Sequence, residues 1–268
     1  MGENMKLKPI KRNMEEYPEA VIDYMRDSVL YDSSSSPQAR VIFIDKNDGY
    51  FLKEAAEGTL RTEALMTAYL HSLKLSEEVL YYGSFHGKDY LLSRKIRGED
   101  CTHPDYLAEP KRLCDTTALL LRELHETDGR GCPVQDRIRT YTEVVMHGLD
   151  QSSYEPDLFR GIWEFGSFSE AKRAAQEGMA LLKKDVLLHG DYCLPNVILD
   201  HWKFSGYIDL GCGGLGDRHI DLVWGLWTLK FNLGTAEYTD RFMDAYGRDR
   251  IESEKLRMVA AMEMIGGE

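Results

Sequence analysis

The octet His189-Gly190-Asp191-Tyr192-Cys193-Leu194-Pro195-Asn196, followed by Ile208-Asp209-Leu210-Gly211, constrains this chain more than any other stretch. The apolar run Val186-Leu187-Leu188 before the octet and Val197-Ile198-Leu199 after it read as short buried strands flanking a loop. Tyr207-Ile208 reads as a third strand with Asp209 at its end. Three adjacent strand ends would then gather two carboxylates and one carboxamide at a single centre.

Those residue types suit a metal-phosphate centre. Mg2+ is a hard cation that takes carboxylate and amide oxygens, keeps several waters and draws the rest of its shell from phosphates. Asp209 and Asn196 are the candidate metal ligands. Asp191, without ligand duty in this scheme, can face an acceptor hydroxyl, orient it and take its proton as the bond to phosphorus forms. A His-x-Asp tripeptide alone is common, and an Asp before a Gly is usually a turn. In this order, between strand-like flanks, they point to phosphoryl transfer.

The order and spacing are those of protein kinases. More specifically, Val186 to Trp224 resembles the catalytic core of the aminoglycoside phosphotransferase family, whose pattern is HGDxxxxN, then a strand, then IDxGxxGxxDxxxD. The second half is matched by Ile208-Asp209-Leu210-Gly211-Cys212-Gly213-Gly214-Leu215-Gly216-Asp217-Arg218-His219-Ile220-Asp221, and the 3'-phosphotransferases, the kanamycin kinases, are the most similar subgroup. The resemblance implies an α+β, two-lobed, protein-kinase-like fold. Residues 1–97 would form a small antiparallel β-sheet with one helix, and residues 98–268 a larger, mainly helical lobe with the catalytic loop and acceptor site. It further implies that Asp217 and Asp221 are structural, tying the loop after the metal site to the following helix. The implied reaction is ATP- (or GTP-) and Mg2+-dependent phosphorylation of a small-molecule hydroxyl, with an aminoglycoside as leading acceptor. A macrolide, an amino alcohol or a sugar metabolite is the alternative acceptor. A nucleotide-binding protein without turnover is the alternative class, and the complete set of Lys53, Asp191, Asn196 and Asp209 counts against it.

The N-terminal third supplies a nucleotide site in this reading. Arg40 to Ile44 is a strand, Asn47-Asp48-Gly49 a hairpin turn, and Tyr50 to Lys53 the partner strand. After a break at Gly58-Thr59, Glu63 opens a helix with Leu65, Met66, Tyr69, Leu70 and Leu73 along one stripe. Taken alone, Lys53 is a solvated strand lysine and Glu63 a first-turn helix acid. The resemblance makes them the phosphate-binding lysine and its glutamate partner. It also assigns Ser36 to the phosphates, Phe51 to stacking on the base, and backbone groups at Arg94 and Ile96, at the hinge, to the adenine edge.

The acceptor side departs from the family pattern. Phe231-Asn232 stands where the 3'-kinases commonly carry an acidic pair, and Cys212 where an arginine commonly follows the Asp-x-Gly. Glu263 is the remaining C-terminal acid, with Glu155, Asp157 and Glu164 as further candidates for a cationic acceptor. The intervening chain reads as helices: one ending at His125-Glu126, one around Tyr141 to Val145, one from Glu170 to Lys184 capped by Ser169, and three beyond Ile220.

A net charge of -12 argues against nucleic acid as partner and would steer a polycation toward the surface. No run of eighteen apolar residues suggests a membrane span, and five scattered cysteines fit a reduced, cytoplasmic protein, monomer or homodimer, without structural zinc.

Overall fold

The computed structural model describes residues 8–35 and 39–266, so Ser36 lies outside the described residues. Contacts divide the chain into two units, one of residues up to Arg97 together with Gly206–Gly211, the other of Gly98–Ser205 and Cys212 onward.

In the first unit, β1 (Lys8–Ile10), α1 (Glu19–Met25), β2 (Val29–Asp32), β3 (Arg40–Asp45), β4 (Tyr50–Ala56), α2 (Arg61–Ser72), β5 (Val79–Phe85) and β6 (Lys88–Arg94) follow one another. The strands form one antiparallel sheet in the order β1-β2-β3-β4-β6-β5. Asn47 and Gly49 take the left-handed backbone that a tight β3-β4 turn needs, at φ 53° and 94°. Strand alternation sorts the side chains: Ile42, Ile44 and Leu52 pack under α1 with Val21 and Met25, while Ala55 and Leu91 pack with Leu60 and Ala64 at the start of α2. Both faces are thus covered, by two helices where one was expected. Helix α1 and strands β1 and β2 gave too short a periodic signal to stand out.

The second unit holds β7 (Glu99–Asp100), α3 (Pro104–Leu107), α4 (Pro110–Glu126), α5 (Arg137–Gln151), α6 (Phe168–Met179), β8 (Val186–Leu188), β9 (Val197–Asp200), most of β10 (Lys203–Tyr207), β11 (Gly214–Gly216), α7 (His219–Leu233), α8 (Thr239–Tyr246) and α9 (Ser253–Gly266). Helix α9 is buried on all sides from Val259 to Ile265 and packs on α5, α6 and α7. The cap of α6 is Ser167, whose side chain accepts from the Glu170 amide, and not Ser169; the helix also stops at Met179, short of Lys184.

The three apolar runs do not form one set of adjacent strands. β8 pairs with β11, whereas β9 lies between β10 and β7, and Ile208 is already beyond β10. The strand β11 was hidden in a glycine-rich stretch that reads as loop. Gly98 immediately precedes β7 with φ 115°, and a Cβ there would lie 2.2 Å from the Leu199 carbonyl oxygen.

Gly98→Ala combines backbone strain with overpacking. It should lower unfolding stability by roughly 2–4 kcal/mol, read as a lower urea midpoint with an unchanged slope.

Candidate active site

The alternation that buries Leu52 turns Lys53 to the opposite face of β4, where the first turn of α2 presents Glu63. Lys53 Nζ donates to Glu63 Oε2 at 2.8 Å and to Asp209 Oδ1 at 2.9 Å. Burial pulls the ammonium pKa down, but the two carboxylates outweigh it and hold the pKa above its ordinary value, so Lys53 is a fixed cation. Burial raises the Glu63 carboxyl, and Lys53 partly offsets this.

Asp209 is placed by its neighbours. Tyr207 N–H donates to the Leu75 carbonyl at 2.8 Å, and Leu210 is fully buried. Between these anchors Asp209 adopts φ 59°, a left-handed conformation unfavourable for a residue with a Cβ. Its side chain stays half exposed, at 51%. The strain is retained where a carboxylate must point away from the core.

Phe51 is half-buried beside Phe43, ring centroids 5.2 Å apart, and Tyr31 stacks on the other side of Phe43. Arg94 turns its guanidinium to Glu78 at 2.9 Å and over the Tyr50 ring, and its amide donates to the Glu78 carbonyl. Ile96 packs against Gly206. A residue the sequence did not single out, Glu77, stands near Glu63 and Asp209. Burial first, and then those two carboxylates, push its pKa up to about 7, against the Ser76 hydroxyl that donates to it at 2.8 Å.

In the second unit the loop between β8 and β9 is pinned from beneath. The Asp221 carboxylate, fully buried on α7, accepts from the His189 amide at 2.8 Å, the Gly190 amide at 2.7 Å and the His125 ring at 3.0 Å. His125 meets the Tyr246 hydroxyl at 2.7 Å through its other nitrogen. Asp221 therefore reaches back to the β8-β9 loop itself, while Asp217 takes the Lys255 ammonium and the His219 ring. Gly190, at φ 90°, cannot carry a Cβ, which would fall 1.8 Å from the Cys212 carbonyl oxygen.

Asn196 closes the loop: its Nδ2 donates to the Asp191 carbonyl at 3.0 Å and to Asp191 Oδ2 at 2.9 Å. With the nitrogen engaged, the amide oxygen is the atom left for a hard cation. Among the described residues no group of three or more His, Cys, Asp or Glu could hold a metal ion.

Of the acceptor candidates, Glu155, Asp157 and Glu164 are exposed in the connection between α5 and α6. Asp157 pairs with Arg160, and Glu164 accepts from the Gly161 amide. Glu263 is not available: it is 3% exposed and accepts the Tyr141 hydroxyl at 2.8 Å, as a carboxylate inside a helix packed on every side must. Phe231 is 69% exposed and stacks on Trp227 at 5.0 Å. Asn232 points inward and donates to the Thr228 carbonyl and hydroxyl.

Residues 32–259 match the model of the phosphotransferase enzyme family. A protein of Lactococcus lactis described as a probable aminoglycoside 3'-phosphotransferase is 48% identical over 260 residues, covering 97% of this chain and 99% of the relative. An aminoglycoside 3'-phosphotransferase of Niallia circulans is 30% identical over 74% of this chain and 76% of its own. Among solved structures, an aminoglycoside 3'-phosphotransferase of type VIII superposes with a TM-score of 0.69 at 22% identity, over 92% of this chain and all of that one.

Glu77→Gln isolates this half-buried carboxyl. A raised folded-state pKa means stability present at low pH and lost as pH climbs through about 7. In chelator, the variant should match the parent in melting temperature near pH 4.5 and exceed it by a few degrees near pH 8, and an unchanged difference across that range would refute the assignment.

Proposed function

Because the chain belongs to the phosphotransferase enzyme family, we propose that it transfers the γ-phosphoryl group of ATP to the 3'-hydroxyl of an aminoglycoside. The observation that carries this reading is the Lys53 ammonium held at 2.8 Å from Glu63 and 2.9 Å from Asp209, a fixed cation beside a half-exposed carboxylate.

Each residue has a role that follows from its surroundings. Glu63 orients Lys53, and Lys53 would exchange its contact with Asp209 for a nucleotide phosphate. Phe51 offers a face to the base, and Ile96 lies beyond the end of β6, where its backbone groups suit an adenine edge. Asp209 and the Asn196 oxygen would hold Mg2+, which neutralises charge on the phosphates. Asp191, its carboxylate oriented by Asn196, would hold the acceptor hydroxyl and take its proton. A need for ATP suits a cytoplasmic location. Separately, none of the described helices is long and apolar enough to cross a membrane.

The aminoglycoside reading draws on the relatives' activities and on the net charge of -12, which favours a polycation. Exposed Phe231 favours a second reading, in which the acceptor is a less charged alcohol such as a macrolide or a sugar metabolite.

Asp191→Ala should lower kcat by about 10^2 to 10^4 while Mg-ATP affinity, read by calorimetry, stays within about twofold. Asp209→Ala should abolish Mg2+-dependent nucleotide binding, and Asn196→Ala should weaken it less, a dipole replacing a full charge. Near-parental turnover of Asp191→Ala would overturn the loop assignment.

Phe231→Glu tests the acceptor side. It should lower the KM for kanamycin by about tenfold at low salt, the effect of one charge-assisted contact, without changing the KM for ATP. Asn232 is left intact because its amide serves Thr228.

A further inference from the structure

We propose that Asp89, on β6, is a positioning residue for the Lys53–Glu63 pair: its buried carboxylate anchors the turn from which α2 starts. This rests on the reading that Lys53 meets the nucleotide phosphates. Asp89 is fully buried, and its oxygens collect donors from two directions. Oδ1 accepts from the Ser84 hydroxyl at 2.7 Å and Oδ2 from the Tyr82 hydroxyl at 3.2 Å, both on the neighbouring strand β5. Oδ2 also accepts from the amide of Leu60, the residue just before α2, at 3.0 Å. Burial alone would favour the neutral acid, but the Ser84 hydroxyl, the Gly58 and Leu60 amides and the Tyr82 hydroxyl hold the pKa below its ordinary value, so the group is a carboxylate at working pH.

The start of α2 has no cap of its own. A helix opens with amides that find no partner inside it, and a polar side chain at the cap usually takes one of them. Here the cap is Leu60, whose side chain accepts nothing and is buried against Ala55, Ala64 and Leu91. Its carbonyl takes the Ala64 amide at 2.9 Å, while its own amide is tied to Asp89. The anchor thus comes from another strand, and its negative charge lies at the helix end that favours it. Glu63 follows three residues later in the same first turn, and its Oε2 meets Lys53 Nζ at 2.8 Å. Lys53 is carried by β4, which ends at Ala56, so the turn 57–60 sets where α2 starts relative to that strand. At its far end the turn is tied by the Glu57 amide, which donates to the Gly87 carbonyl at 3.2 Å, and Asp89 is the anchor next to the helix. Released from Asp89, the first turn of α2 shifts, and Glu63 with it. Lys53 is then left with Asp209, the contact that a phosphate has to displace. Binding of the phosphates weakens, and binding of the base does not.

The test uses the full chain, well below the melting temperature of each variant, with Mg-ATP and adenosine as probes in calorimetry. Asp89→Ala should weaken Mg-ATP by about tenfold, the effect of one charge-assisted contact, and leave the affinity for adenosine, which carries no phosphate, within about twofold. Asp89→Asn should lie within about threefold of the parent for both, because its amide oxygen can take the Leu60 amide while its nitrogen donates to the Ser84 hydroxyl oxygen. Glu63→Gln should weaken Mg-ATP to a similar extent as Asp89→Ala, and the double variant should be no worse than the poorer single one, since both changes act on one pair. An equal loss of adenosine, equal defects in Asp89→Ala and Asp89→Asn, or additive losses would overturn the proposal. Should Asp89→Ala fail to fold for want of a partner for the Leu60 amide, Asp89→Glu decides, since it keeps the acceptor but moves it by one carbon. Weaker Mg-ATP with unchanged adenosine supports the role, and parental Mg-ATP affinity refutes it. Lys53→Ala is run alongside. Parental Mg-ATP affinity of that variant would remove the nucleotide reading and this role with it, whereas a weakened Lys53→Ala beside an unimpaired Asp89→Ala would remove this role alone.

Discussion

The path of the β8-β9 loop depends on one buried carboxylate. Asp221 has no water to solvate it, so its two oxygens must be satisfied from within, and the donors it collects are the amides of His189 and Gly190 and the His125 ring. Two backbone amides converging on one carboxylate fix the path of the chain immediately before Asp191. That path brings Gly190 to φ 90° with the Cys212 carbonyl where a Cβ would stand. The requirement for glycine in His-Gly-Asp is therefore a consequence of Asp221, one layer below. Removing one partner of such a network leaves an uncompensated polar group inside, at about 3–5 kcal/mol.

The first unit solves a different problem with the same means. In the proposed reading, a phosphate-binding cation must be held without being neutralised for good. Glu63 provides the permanent partner, buried and beside Lys53, while Asp209 provides an exchangeable one on a strained, half-exposed residue. The difference in exposure decides which contact can give way when a more charged partner arrives. Glu77, its carboxyl pKa pushed up to about 7 chiefly by loss of solvent, keeps a further negative charge close by only when pH is high enough to ionise it.

What the sequence could show followed from locality. Asp191, Asn196 and Asp209 stand at fixed spacing in short stretches whose residue types suit the chemistry, and Lys53 follows a turn signal that sets its strand. The contributions of His125, Thr228 and Glu77 come from residues far apart in the chain or from burial alone, and neither leaves a periodic mark. Glu263 misled for the same reason. An acid near the C-terminus looks exposed until α9 proves to be packed on every side, with Tyr141 as the partner that makes its burial tolerable. The cap of α6 slipped from Ser169 to Ser167 because two serines flank one apolar residue, and only the backbone decides which of them faces the free amides.

The acceptor side shows how one helix can serve two demands at once. On α7, Thr228 faces inward, where its hydroxyl accepts from the Leu194 amide, Asn232 donates back to Thr228 within the helix, and Phe231 faces out on Trp227. A carboxylate at position 232 would have no proton to offer the Thr228 carbonyl, so an acid there would set two acceptors against each other in a buried place. Position 231 carries no such restriction, being exposed and unconnected to the loop. In the proposed reading, a change of acceptor would run through 231 and the α5-α6 connection, while 232 is held by its hydrogen bonds to Thr228.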